Sequence, residues 1–163
     1  MPTTYEPIAT TTLGSAVTTF SFTSIPATFT DLVVVISAPG ITGGTSMDSD
    51  MRFNADTGGN YGHVRWQNAG TDRGTSLTWI PIGAPRSDTR HISVINIFNY
   101  SNTTTFKPVL ARTSFGGSDS VVEAYSGLWR STSAINQITF ISGQSRNYNT
   151  GTMATIYGIK AAT

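Results

Sequence analysis

Two histidines are the candidates for acid–base or nucleophilic chemistry in this sequence, which contains no cysteine. His63 stands between Gly62 and Val64 in an alternating segment, and His91 begins an apolar segment directly after Arg90. A Ser-His-Asp set also needs a positioned acid and oxyanion donors. No Gly-x-Ser-x-Gly elbow is present to carry a nucleophilic serine. The pattern therefore favours ordinary surface or interface roles for both histidines.

Oxygen ligands for a hard cation are concentrated between residues 48 and 56. Asp48 and Asp50 are followed by Asn54 and Asp56. Calcium sites use acidic residues at such spacings, but an EF-hand loop also needs a glycine at its turn and a closing glutamate, which are absent here. The Asp-Thr-Gly-Gly-Asn run at 56–60 lacks the Gly-Lys-Ser/Thr ending of a phosphate loop and indicates a β-turn. We predict neither a bound metal nor another cofactor.

Carboxyl groups are too few and too dispersed to suggest a hydrolase. Glutamate is represented by Glu6 and Glu123, and the aspartates cluster in turns. Hydrolysis of a glycosidic bond needs two carboxyl groups at a defined separation. The sequence therefore argues against a polysaccharide hydrolase and shows no catalytic constellation.

Aromatic side chains leave one binding chemistry open. Exposed rings on a β-sandwich would offer surfaces on which sugars stack, and the candidates are Trp66, Trp79, Tyr100, Tyr125 and Trp129. The alternative, which we favour, is that these rings fill the core or a subunit interface, where aromatic residues normally lie.

Arginine supports the interface interpretation, because it is enriched in protein interfaces whereas lysine is depleted. Arg65, Arg112 and Arg130 are the examples that the sequence offers. The interface residues that we predict are Tyr5, Arg65, Trp66, Trp129 and Arg130.

Composition restricts the classes of partner. Charged residues make up 12% of the chain and the formal net charge is +1. Because the basic residues are scattered, we expect no nucleic-acid partner. No apolar run is long enough to cross a bilayer and no secretory signal opens the sequence. We therefore expect no membrane partner and a soluble protein made in a cytoplasm.

The segment Asp31–Ala38 is the element around which the other strands are expected to pack. It holds five consecutive apolar residues, three of them valine, between Pro26 and Pro39-Gly40. β-branched residues favour strand over helix, and a short continuous apolar run indicates a strand buried on both faces. Residues 91–100 form a second candidate for the centre of a sheet.

Turn signals recur about every 8–12 residues, which is the spacing of a sandwich or barrel. The predicted fold is all-β, an antiparallel β-sandwich resembling a jelly roll, with about ten strands. It includes a hairpin over 8–22, a strand over 76–82 that Pro81 either makes an edge strand or shortens, and a helical turn at 130–135. Residues 8–163 are expected to form a single domain, preceded by an N-terminal arm at 1–7.

Several segments together resemble small virion structural proteins of tailed bacteriophages, especially those of cyanobacteria. The segments that carry the resemblance are Glu6-Pro7-Ile8-Ala9-Thr10, Arg52-Phe53-Asn54-Ala55-Asp56-Thr57-Gly58, Asn99-Tyr100-Ser101-Asn102-Thr103-Thr104, Gly127-Leu128-Trp129-Arg130-Ser131 and Tyr157-Gly158-Ile159-Lys160-Ala161. The resemblance extends from about Tyr5 to Ala162, and it rests on the order and spacing of these segments.

The resemblance implies a non-enzymatic capsid decoration (cement) protein, located in the virion on the capsid surface and made in the cytoplasm of a bacterial host. Such a protein binds the outside of the assembled head and clamps neighbouring subunits of the major capsid protein, commonly as a homotrimer. The alternative is a tail or head fibre module that binds a host receptor or glycan. The family offers no catalytic residue to carry over to this chain.

Overall fold

The computed structural model describes residues 4–67, 70–87, 89–116 and 122–160. The regular secondary structure in these ranges consists of β-strands, with no helix. The fourteen strands are β1 Tyr5–Thr12, β2 Thr19–Phe22, β3 Asp31–Ala38, β4 Ile41–Thr42, β5 Ser49–Phe53, β6 Tyr61–Gln67, β7 Gly70–Leu77, β8 Ile80–Gly83, β9 His91–Ile97, β10 Lys107–Phe115, β11 Val122–Trp129, β12 Ile138–Ser142, β13 Asn147–Tyr148 and β14 Met153–Ile159.

The strands form two main sheets, and every pairing is antiparallel. The larger sheet has eight strands in the order β1-β14-β3-β9-β10-β11-β6-β7, and the smaller has four in the order β2-β12-β5-β8. Strands β13 and β4 form a separate pair. The prediction of an all-β antiparallel sandwich is confirmed. The structure has more strands than the ten expected, partly because short pairs such as β4 and β13 give no alternation signal of their own.

The predicted central strand is confirmed as β3, which covers the predicted residues Asp31–Ala38. It lies between β14 and β9, deep inside the larger sheet. Leu32, Val34 and Ile36 are buried in the core, and Val33 on the opposite face is only 7% exposed. The second predicted central strand is confirmed as β9, which lies between β3 and β10.

The core lies between the smaller sheet and one face of the larger sheet. An aromatic cluster fills one end of it. The Trp129 ring is stacked on Tyr61 with 6.2 Å between ring centroids, and Phe53 of the smaller sheet lies 5.4 Å from Trp129. Rings packed in this way contribute more than their buried area alone.

The predicted hairpin over 8–22 is wrong. Strand β1 pairs with β14 in the larger sheet, whereas β2 pairs with β12 in the smaller sheet. The segment between them contains the expected turn residues, but its backbone bonds to a distant part of the chain: Leu13 N donates to Thr152 O, and Val17 N donates to Tyr148 O. Hydrogen bonds to residues 148 and 152 therefore fix the segment that leads from the larger sheet to the smaller one.

Two further local predictions need correction. The predicted strand at 76–82 is divided, because β7 ends at Leu77 in the larger sheet and β8 begins at Ile80 in the smaller one. Its edge character is confirmed, since β8 with Pro81 is an edge of the smaller sheet. Residues 130–135 form no helix, and Ile135 N donates instead to Tyr100 O.

The predicted boundary between an arm and the domain falls inside β1. Tyr5 and Pro7 pair with Ile159 and Tyr157 of β14, so these residues lie on the edge of their own sheet. Residues 1–3 of the predicted arm lie outside the described residues.

Gly158 provides a test of the packing at this edge. A Cβ atom at Gly158 would clash with the Phe29 ring, whereas nothing lies within 4 Å of a Cβ at Gly14. We expect Gly158→Ala to lower the free energy of unfolding by about 1–3 kcal/mol, because overpacking displaces neighbouring groups. Chemical denaturation measures this effect, with Gly14→Ala as the control. Equal stability of the two variants would contradict the packing of Phe29 on Gly158.

Candidate functional site

Strand β6 separates two surfaces that could bind a partner or ligand. Successive side chains of a strand point to opposite sides of its sheet. Val64 and Trp66 therefore point to one side of the larger sheet, and His63 and Arg65 point to the other. His63 and Arg65 line a cleft together with the smaller sheet, whereas Val64 and Trp66 are 38% and 48% exposed.

We define the broad face as the side of the eight-stranded sheet that points away from the smaller sheet. Nine large apolar side chains are exposed among the described residues. Strand register places six of them on the broad face. These six are Val64, Trp66, Ile92, Leu110, Val122 and Met153. Tyr5, which is 56% exposed, lies at the β1 end of the same face.

Paired residues of neighbouring strands form rows of side chains across the broad face, and these rows contain few charged residues. One row is formed by Val122, Ser114, Ile92, Ser37 and Met153 on five neighbouring strands, and it contains no charged residue. The next row includes Arg112 between Ala124 and Val94, and the row after it includes Arg73 opposite Val64. A shallow depression of about 300 Å³ lies beside Trp66, Leu110 and Arg112. The face therefore mixes exposed apolar side chains with uncharged polar ones and is weakly charged.

The cleft lies on the other side of β6. It has a volume of about 620 Å³ and is bounded by β6 and β7 on one side and by the outward side of the smaller sheet on the other, around the edge strand β8. Its charged and aromatic lining residues are Asp48, Asp50, Arg52, His63, Arg65, Asp72, Trp79 and Tyr125.

Asp50 is the most strongly perturbed of the carboxyl groups that line the cleft. Burial, reinforced by the negative charge of Asp48, raises the pKa of Asp50 to about 7, although Arg52 acts in the opposite direction. The residue is 5% exposed, and its Oδ1 atom has no hydrogen-bond partner. Near neutral pH this carboxyl group is therefore partly protonated and has unused hydrogen-bonding capacity.

His63 and Arg65 face Asp72 across the β6–β7 hairpin. His63 Nε2 lies 3.8 Å from Asp72 Oδ2, and Arg65 Nη2 lies 3.7 Å from the same oxygen. Burial lowers the pKa of His63, with the Asp72 charge opposing this effect, so the imidazole is neutral at pH 7. Its Nδ1 atom is buried without a partner. The ring fits over Gly74, where a Cβ atom would lie 2.9 Å from His63 Cε1.

Trp79 supplies an aromatic surface to the cleft. The ring is 39% exposed and follows Thr78, whose carbonyl oxygen accepts a hydrogen bond of 3.0 Å from Arg52 Nε. This bond joins the segment between β7 and β8 to strand β5. The cleft thus combines one accessible ring with polar groups held by three different strands.

The structure distributes the predicted interface residues among several environments. Tyr5 and Trp66 lie on the broad face, and Arg65 lies in the cleft. Trp129 is 2% exposed, and its Nε1 donates to Asp56 Oδ2 at 2.7 Å, so this side chain is part of the monomer core. Arg130 Nη2 donates to Gly59 O at 2.7 Å and supports the adjacent turn.

Asn54 and Asp56, two of the residues considered for metal and phosphate, have structural partners. Asp56 accepts hydrogen bonds from Gly58 N, Asn60 Nδ2 and Trp129 Nε1, which makes the 56–60 run a braced turn. Asn54 Oδ1 accepts from two backbone amides, at 3.0 Å and 3.2 Å. No group of three or more His, Cys, Asp or Glu side chains suited to a metal is found in the described ranges.

Sequence reasoning did not link Asp50 with Asp72 or His63. These residues are far apart in the chain, and the edge strand β8 and the β6–β7 hairpin bring them to one cleft. Of the aromatic residues considered for sugar stacking, Tyr100, Tyr125 and Trp129 are buried, and Trp66 and Trp79 are exposed on opposite sides. The alternation of side chains along β6 was the local signal that Trp66 points to the side of the sheet opposite to His63 and Arg65.

No helix in the described ranges is long and apolar enough to span a membrane. No family model matches the chain, and no curated protein matches it. A solved structure, that of the marine PL-14 alginate lyase from Aplysia kurodai, is similar over 85% of this chain and 72% of that chain, with 10% identity and a TM-score of 0.38. A likeness at this level says nothing about activity. The fold of this chain is assigned from the strand pairing of its own two sheets.

Proposed function

We propose that this chain is a non-enzymatic decoration (cement) protein of a tailed-phage head. In this proposal the broad face binds the outside of the assembled shell and joins neighbouring subunits of the major capsid protein. The observation that carries it is the broad face itself, which holds six of the nine large apolar side chains that are exposed among the described residues. Concentration of exposed apolar side chains on one face marks interaction sites in soluble proteins.

The dimensions of the broad face suit a stable interface. Eight strands spaced about 4.8 Å apart span roughly 34 Å, and seven-residue strands extend about 20 Å. The resulting area of roughly 700 Å² is close to the approximately 800 Å² that each partner buries in a standard interface. Binding would remove few charges from water, because Arg73 and Arg112 are the charged residues in its central rows. The cost of charge desolvation is correspondingly small.

Oligomerisation is part of the same proposal. A homotrimer would present three broad faces to a shell of repeating subunits, and simultaneous contacts would raise the overall affinity well above that of one face. Light scattering of the purified protein measures the oligomeric state directly. A trimer supports this part of the proposal, and a monomer at micromolar concentration overturns it.

The docking role is tested by binding to heads stripped of this protein. Trp66 and Trp79 form a matched pair, since they are 48% and 39% exposed and lie on the broad face and in the cleft. We expect Trp66→Ala to weaken sedimentation with heads by roughly 30-fold, the effect of losing an aromatic anchor. Trp79→Ala should bind as the wild type does.

A second variant places a charge within the same face. Leu110→Asp would remove a carboxylate from water on docking, and we expect it to abolish detectable head binding because of the cost of desolvating this charge. Both variants should retain the wild-type melting temperature, because their side chains are exposed. Wild-type binding by Trp66→Ala and Leu110→Asp, or no binding of the wild type to stripped heads, would overturn the proposal.

A further inference from the structure

We propose that the cleft between the β6–β7 hairpin and the smaller sheet binds a short neutral oligosaccharide. This site is separate from the broad face and does not depend on the decoration role. Its volume of about 620 Å³ falls within the range of roughly 300–1,000 Å³ that is typical of small-molecule sites. The chemistry of its lining selects the class of ligand.

Trp79 provides the surface on which a sugar ring would pack. It is the aromatic side chain of the cleft with substantial exposure, because Tyr125 is 2% exposed and lies below the lining. An indole ring combines a large apolar face with a polar N–H group at one edge. The apolar face of a pyranose can lie against the ring while its hydroxyl groups point to the polar wall opposite.

Two residues that line the cleft carry buried side-chain atoms without a hydrogen-bond partner. Asp50 Oδ1 and His63 Nδ1 are buried and have no partner. Asp50 is 5% exposed, and the His63 side chain is 8% exposed. Buried polar atoms normally have a partner, so the unpartnered oxygen of Asp50, a residue that lines the cleft, indicates a position for a hydroxyl-bearing ligand or for the water that it displaces. His63 Nδ1 lies against β7 instead, 3.2 Å from the position of a Cβ atom at Gly74.

The balance of charge favours a neutral ligand over an anionic one. Arg52 and Arg65 contribute two positive charges, and Asp48 and Asp72 contribute two negative charges. His63 is neutral at pH 7, and Asp50 is partly protonated. A polyanion would meet repulsion from the carboxylates, and a metal ion would meet the two guanidinium groups. Carboxylate and guanidinium groups together can accept from and donate to adjacent hydroxyls.

The position of the cleft allows both surfaces to be used together. The side chains of β6 point to the broad face at Val64 and Trp66 and to the cleft at His63 and Arg65. A protein bound through the broad face would therefore keep its cleft open on the other side of that strand.

The test measures binding of defined trisaccharides to the full chain by isothermal titration calorimetry. The neutral probes are maltotriose, cellotriose, xylotriose, mannotriose and chitotriose, and trigalacturonate is the anionic comparison. We expect at least one neutral probe to bind with a dissociation constant below about 1 mM. Trp79→Ala should weaken that binding at least roughly tenfold, Trp79→Phe should retain part of it, and Trp66→Ala should leave it unchanged.

Melting temperatures establish that each variant is folded, which is expected because both tryptophans are partly exposed. Binding of none of the neutral probes overturns the proposal, as does binding of trigalacturonate alone. Equal binding by wild type and Trp79→Ala also overturns it, because the ligand would then lie elsewhere. None of these outcomes bears on the head-binding result, which uses Trp66 as its sensitive position.

Discussion

Replacing Trp129 by alanine is expected to lower the free energy of unfolding by about 3–5 kcal/mol, the usual cost of truncating a fully buried aromatic side chain. Trp129 is 2% exposed, it is stacked on Tyr61, and it lies 5.4 Å from Phe53 in the opposing sheet. Its removal would leave a cavity between the two sheets and would also free Asp56 Oδ2 from its bond to Nε1. Chemical denaturation at neutral pH measures the effect.

Two further variants separate the contributions at this position. Trp129→Phe keeps an aromatic ring but loses the N–H donor to Asp56, so its destabilisation should be smaller than that of Trp129→Ala. Trp66→Ala is the exposed control, and we expect its stability to stay within about 0.5 kcal/mol of wild type. Unchanged stability of Trp129→Ala together with loss of oligomers would contradict the core position and support an interface role.

The second large effect concerns two buried groups whose titrations oppose each other. Burial, together with the Asp48 charge, raises the pKa of Asp50 from 3.8 to about 7, and burial lowers the pKa of His91 from 6.5 to about 4. Between pH 4 and 6.5 the folded state holds a proton on Asp50 that the unfolded state has lost. Over the same interval the unfolded state holds a proton on His91 that the folded state lacks.

Linkage gives the signs of both contributions. As pH rises from 4 to 7, Asp50 reduces stability, because the unfolded state binds fewer protons at this group. As pH rises from 4 to 6.5, His91 increases stability, because the unfolded state binds more protons there. When fully developed, the Asp50 effect reaches about 4 kcal/mol and the His91 effect about 3 kcal/mol. The two nearly cancel in the wild type.

Single variants should therefore reveal opposite pH profiles. Asp50→Asn is expected to gain stability at pH 7.5 relative to wild type and to become steeply less stable as pH falls from 6.5 to 4. His91→Asn should instead become less stable as pH rises through the same interval. Denaturation series at pH 4, 5, 6 and 7.5 measure these slopes. Parallel profiles for wild type and both variants would show that neither pKa is shifted by folding.

The cleft links the pH behaviour of this protein to its proposed ligand. Asp50 has a buried carboxyl group with an unpartnered oxygen. As pH rises from 4 to 7, this group loses its proton more readily in the unfolded state than in the folded state, so the free energy of unfolding falls. Functional sites often retain groups of this kind at a cost in stability. A bound hydroxyl donor would favour the ionised form of Asp50 and offset part of that cost.

Local features of the sequence determined the class of the fold and several of its elements. The valine-rich run predicted β3 with its bounds, because β-branched side chains fit a strand buried on both faces. Pro81 predicted an edge strand, because proline cannot donate to a ladder. The 56–60 run predicted a turn, because its aspartate can accept from a nearby backbone amide, as it does from Gly58 N, and its glycines tolerate turn conformations. Each of these signals acts within a few residues.

Only the tertiary structure decided which sides of the strands are covered. Trp66 and Trp129 both lie on alternating strands, yet the smaller sheet packs over Trp129 and leaves Trp66 exposed on the broad face. The partners of β1 and β2 were also decided by distant segments, which defeated the predicted hairpin. The cleft unites Asp50 of β5 with His63 of β6 and Asp72 of β7, because strands of both sheets line it. Alternation in the sequence specifies two sides of a strand but not which of them is buried. The packing of one sheet on the other decides which side is covered.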